Sequence, residues 1–63
     1  MAKFLLRIKQ VQERVRLSRS ELYRLIGLDR FPKPVPLGER ARAWDADEIE
    51  AWIQERIDAR KAA

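Results

Sequence analysis

The stretch Leu17-Ser18-Arg19-Ser20-Glu21-Leu22-Tyr23-Arg24-Leu25-Ile26 reads as a short helix with a defined start. Ser18 is a good N-cap, and Glu21 three residues on completes an S-x-x-E capping box. At about 100° per residue, Leu22, Leu25 and Ile26 form one narrow apolar stripe. Ser20, Arg24 and Gly27 point nearly the opposite way, with Tyr23 on the flank and Arg19 near the exposed first turn. The outward face is therefore expected to carry hydroxyl, phenol and guanidinium groups and no carboxylate. Such groups suit the base edges and phosphates of a duplex major groove. The plainer alternative is a solvated surface helix with two ordinary arginines.

Upstream, Ile8, Val11 and Val15 fall at i, i+3 and i+7, with polar residues between them. This predicts a two-turn amphipathic helix that depends on packing, because so short a helix does not persist alone. Val15-Arg16-Leu17 separates it from the Ser18 cap. Helix, short turn and second capped helix make a helix-turn-helix. Arg16 stands where glycine would ease a left-handed turn. Phe4-Leu5-Leu6 reads as a short strand or an extended lead-in, and residues 1–3 are expected to fray.

Downstream, the second helix should end near Gly27 or Leu28. Gly27 reads as its C-cap in preference to a point of close approach to a phosphate. Phe31-Pro32-Lys33-Pro34-Val35-Pro36-Leu37 has proline at every second position, which forbids a helix or a central strand but permits an edge strand. Gly38-Glu39-Arg40 reads as a turn and Ala41-Arg42-Ala43-Trp44 as the return. Val35–Trp44 is thus a predicted hairpin tipped by Arg40, with Arg42 and Trp44 on one side unless the strand twists or bulges. Asp45 and Glu48 form a second capping box. They open a last helix, about Ala46 to Arg60, with Ile49, Trp52, Ile53 and Ile57 as its apolar stripe.

Composition narrows the functional classes. The 63 residues make one small domain, 1–63, able to bury only about 60% of its unfolded surface. There is no cysteine and no histidine, which removes disulfides, cysteine zinc sites and the commonest general base. No glycine-rich phosphate loop is present, and each carboxylate has a capping or solvation role. An enzyme is not expected, nor is a cofactor or a metal. The apolar run at the N-terminus is too short for a signal peptide or a membrane span, so a cytoplasmic chain is expected. The net charge of +4 is unevenly spread. Residues 1–44 hold eleven Lys/Arg against four Asp/Glu, and residues 45–63 hold three against six. A basic part beside an acidic part suggests one face aimed at a polyanion, although an acidic protein or a membrane surface would also attract it.

Trp44 and Trp52 are expected in the core rather than stacked on bases. Tyr23 divides evenly between edge-of-core packing and a phosphate or base contact. Arg40 has no evident structural use and reads as a phosphate or minor-groove contact.

These pieces, in this order, resemble the AlpA family of small phage and prophage transcriptional regulators. The family is similar to excisionases and to the DNA-binding part of MerR-type proteins. The resemblance rests on Leu17–Ile26, Phe31–Gly38, Arg40–Trp44 and Glu48–Ile53, and runs from about Leu6 to Ile57. Arg16, in place of the family's usual turn glycine, and the Gly27–Arg30 exit depart from the pattern. The resemblance implies a mainly α fold, three helices plus a small β-hairpin in a compact winged helix-turn-helix. It places the second helix in the major groove and the wing on the adjacent groove or backbone. Carried onto matching positions, the DNA-binding set is Arg19, Ser20, Tyr23 and Arg24 on the helix, with Arg40 and Arg42 on the wing. The partner implied is double-stranded DNA at a phage, prophage or mobile-element operon, with RNA polymerase or a recombinase as candidate protein partners. Two alternatives stay open: an excisionase-like architectural protein that bends DNA and recruits a recombinase, and an adaptor whose basic face meets an acidic protein. No heptad pattern follows Ile57, so a monomer is expected, cooperating on DNA if it assembles at all.

Overall fold

A computed structural model describes residues 3–62. Its elements run β1 (Leu5–Leu6), α1 (Ile8–Val15), α2 (Arg19–Gly27), β2 (Val35–Pro36), β3 (Arg42–Asp45) and α3 (Ala46–Ala62). Three helices and a small three-stranded antiparallel sheet of order β1-β3-β2 form a mainly α winged helix. Residues 1 and 2, assigned to a frayed end, lie outside the described residues. Lys3 is tied down, its Nζ lying 3.4 Å from Asp45 Oδ2 and 3.3 Å from Asp47 Oδ2.

Each helix buries residues of its apolar stripe. Val11 of α1, Leu22 of α2 and Ile49 of α3 are fully buried, and join Leu6, Phe31 and Trp44 in one cluster. Ile8, Val15, Leu25, Ile26, Trp52 and Ile53 pack around it. Ile57 does not: it is 41% exposed, because α3 has run past the core by that turn.

The turn between α1 and α2 is Arg16–Ser18. Arg16 is left-handed, at φ 61° and ψ 37°, and its N–H donates to Gln12 O at 2.7 Å. At the start of α1, Gln10 Oε1 accepts from the Arg7 N–H at 2.9 Å. Ser18 caps α2 as expected, its Oγ accepting from the Glu21 N–H at 3.2 Å.

The exit from α2 corrects one expectation. Gly27 is the last helical residue and not the cap; neither glycine has a positive φ. Asp29 takes the left-handed position instead, at φ 58°. Its N–H donates to Ile26 O at 3.1 Å, and the Arg30 N–H donates to Leu25 O at 2.8 Å. These two bonds form a Schellman motif, which places the left-handed residue two positions beyond Gly27.

The wing is a hairpin. Val35 pairs with Ala43 and Pro36 with Arg42, and the Leu37 N–H donates to Ala41 O at 2.7 Å across the turn. Pro36 is tolerated because β2 is an edge strand. The expected alternation of β3 breaks down: Arg42 is exposed, while Ala43 and Trp44 in succession are buried. Both α1 and α3 pack against this strand. The first half of β3 pairs with β2, while Trp44 and Asp45 pair with Leu6 and Leu5 of β1.

Both tryptophans hold the link from α2 to the wing. The buried Trp44 donates its indole N–H to Pro32 O at 2.9 Å, and Trp52 donates to Arg30 O at 2.8 Å. Between these anchors Phe31 meets the Trp52 ring edge-on, centroids 4.9 Å apart. β3 then passes into α3 with no intervening loop. Asp45 Oδ1 accepts from the Asp47 N–H at 2.9 Å, and the Ala46 N–H donates to Phe4 O at 2.9 Å.

Candidate nucleic-acid interface

Burial of Leu22 fixes the rotation of α2 about its axis. With that side chain fully enclosed, Arg19, Ser20, Tyr23 and Arg24 are all exposed. Arg19 and Tyr23 touch: the guanidinium carbon lies 5.6 Å from the phenol ring centroid, a cation–π contact one helical turn long. Tyr23 is 39% exposed and is not among the residues packed on the core.

Arg24 is held by a neighbour that the sequence reading placed elsewhere. Its Nη2 donates to Glu21 Oε2 at 3.0 Å. Glu21 therefore does not return a hydrogen bond to the Ser18 cap, and the outward face does carry a carboxylate. An N3 glutamate can reach back to the cap or forward to i+3, and here the charged partner wins. The hydrogen bond and the charge of Arg24 hold the Glu21 carboxyl below its ordinary pKa, and Glu21 raises that of Arg24 by the same two effects.

The wing supplies the remaining members. Arg40 lies in the exposed Gly38–Arg40 turn, and Arg42 opens β3, also exposed. Among the described residues no ion pair engages Arg19, Arg40 or Arg42, or joins the wing to α2. The six residues thus fall into an Arg19–Tyr23 pair, an Arg24–Glu21 pair, Ser20 alone and two separate wing arginines. The i, i+3 spacing of Glu21 and Arg24 is the sequence signal that could have revealed their pairing.

No group of three or more His, Cys, Asp or Glu able to hold a metal ion occurs among the described residues. No helix among them is long and apolar enough to cross a membrane. The cluster of Lys3, Asp45 and Asp47 at the start of α3 is structural. The backbone hydrogen bond from Asp47 is the main influence lowering the Asp45 pKa, aided by the Lys3 ammonium.

The family model for prophage CP4-57 regulatory protein (AlpA) matches residues 4–57. The chain belongs to the AlpA family. That match spans β1, all of the helix-turn-helix, the wing and most of α3, so it covers every element that carries the exposed arginines. This AlpA chain is also similar to Uncharacterized protein ORF88 of Enterobacteria phage P4. The two are 43% identical over 56 residues, covering 89% of this chain and 64% of the phage protein. The chain therefore spans just under two thirds of that relative's length. The family takes its description from a prophage regulatory protein.

Proposed function

We propose that this AlpA protein is a sequence-specific double-stranded DNA-binding regulator of a phage, prophage or mobile-element operon, with no enzymatic step. The observation that carries the reading is the exposed α2 face, set by complete burial of Leu22 on the opposite side. α2 enters the major groove with Arg19, Ser20, Tyr23 and Arg24 toward the bases and phosphates. Arg40 and Arg42 bring the wing against the adjacent groove or backbone. Lysine and arginine contacts to phosphate release counterions and supply much of the affinity, while base-edge contacts choose the site.

Arg24 has to exchange Glu21 for its DNA partner. This costs little, because both groups are solvent-exposed and water and salt screen the pair. A base edge that accepts two guanidinium hydrogen bonds offers more, about 1–3 kcal/mol of discrimination. Residues 1–63 are read as a single DNA-binding domain, as a monomer or cooperating on DNA.

Selection from a random duplex library near physiological salt, where non-specific binding is suppressed, is the direct test. A recovered motif is the expected result. No enrichment by folded protein would remove the sequence-reading role of α2.

A further inference from the structure

α3 carries its core-facing stripe beyond the core. Ile49 is buried, and Trp52 and Ile53 are half-buried. The same stripe continues through Arg56, Ile57 and Arg60 at helical spacing. From Gln54 to Lys61 every residue is exposed. Between this projecting face and the end of α1 runs an open groove of ≈ 360 Å³, with Val15, Leu17, Ile53 and Ile57 among its apolar lining. Its charged lining is wholly cationic: Arg14, Arg56 and Arg60. Arg14 is occupied by Glu50 at 2.8 Å, and Arg56 lies 5.8 Å from the Trp52 ring centroid. Among the described residues no carboxylate pairs with Arg56 or Arg60.

We propose that this groove is a docking site for an acidic amphipathic helix of a protein partner, separate from the α2 and wing surface. An apolar floor beneath a cationic rim matches a helix with apolar residues on one side and carboxylates beside them. DNA fits it less well, since phosphates would meet the arginines and leave Leu17 and Ile57 against a charged backbone. A second copy docking groove to groove would bring Arg56 and Arg60 against their own equivalents, a like-charge contact.

The probe is a synthetic helix with leucine at i, i+3, i+4 and i+7 and glutamate elsewhere, titrated into the isotope-labelled full chain by NMR. The expected result is saturable shifts at Val15, Leu17, Ile53 and Ile57. Replacing every glutamate of the probe with lysine should abolish them. Arg60→Glu should weaken binding on the order of tenfold at low salt. Ile57→Ser, at an exposed position outside the core cluster, should weaken binding while duplex DNA affinity stays unchanged. Absence of saturable shifts overturns the proposal, as does equal binding of the lysine helix. Shifts confined to α2 or concentration-dependent self-association through the groove overturn it too, and so does parallel loss of DNA affinity in Ile57→Ser.

Discussion

Arg16 and Asp29 carry side chains where the backbone is left-handed, at φ 61° and 58°. A Cβ in that region lies close to the following carbonyl, a strain that glycine avoids. Arg16→Gly and Asp29→Gly should therefore each raise stability, by up to about 1 kcal/mol, read as a higher urea midpoint with an unchanged slope. The Asp29–Lys33 ion pair that the second change removes is exposed at 3.2 Å and offsets little of the gain. Gly27→Ala should also stabilise, by up to about 1 kcal/mol, because Gly27 is helical and an added Cβ meets nothing within 4 Å. If that open position faces a phosphate, the same change will lower DNA affinity while raising stability. Measuring both separates the two effects. Arg16 was legible as the turn residue from its place between two helices. Asp29 was not, because Gly27 offered a chemically better cap two residues earlier, and only the length of α2 decides between them.

At the scale of elements, α2 combines a cap, a buried stripe and a reading face, and its charges are coupled. Arg24→Ala should cost on the order of 1–3 kcal/mol on the preferred site and relax preference at one base position. Arg40→Ala should weaken all duplexes similarly and reduce the salt slope by about one. Equal effects on every sequence from both changes would remove base readout by α2. Glu21→Gln keeps the side chain's size and removes its charge from a surface offered to a polyanion. It should tighten non-specific binding and narrow the gap between specific and non-specific sites, measurable by competition with random duplex. The Ser18 and Asp45 N-caps, the apolar stripes up to Ile53 and the wing were readable because each depends on residues close in sequence. The side-by-side burial of Ala43 and Trp44 was not, since it depends on α1 and α3 both packing against β3, which no local pattern shows. Glu21 was misassigned because two local partners compete for it and their spacing is the same. The six proposed DNA contacts came from residue chemistry and family resemblance, and their exposure is compatible with that role.

For the whole molecule, acid should loosen the fold where α3 begins. The backbone hydrogen bond from Asp47 holds the Asp45 carboxyl below its ordinary pKa, with Lys3 adding to the effect. Stabilisation from a lowered carboxylate is fully present above the unfolded value, about 4, and is lost as pH falls through the lower folded value. Asp45→Asn preserves a capping oxygen and removes the titration, so its acid unfolding curve should be shallower below about pH 4 when followed by circular dichroism. Trp52→Phe tests the link from α2 to the wing: it keeps an aromatic ring against Phe31 and deletes the hydrogen bond to Arg30 O. A loss of about 1 kcal/mol in urea unfolding is expected.

The register of β1 also sets an order in time. Leu5 pairs with Asp45, so the first strand meets its partner across some forty residues of chain, whereas α1 and α2 form from neighbours. Bringing such distant ends together carries a loop-closure cost that local turns avoid. The helix pair is thus expected to assemble first and the β1–β3 ladder last, and native opening should retrace that sequence. Among the hydrogen-bonded amides, exchange will then be fastest in the β1–β3 ladder and at Ala46, whose N–H donates to Phe4 O, and slowest at Leu22. A molecule built this way can release its first strand and keep its helix-turn-helix assembled.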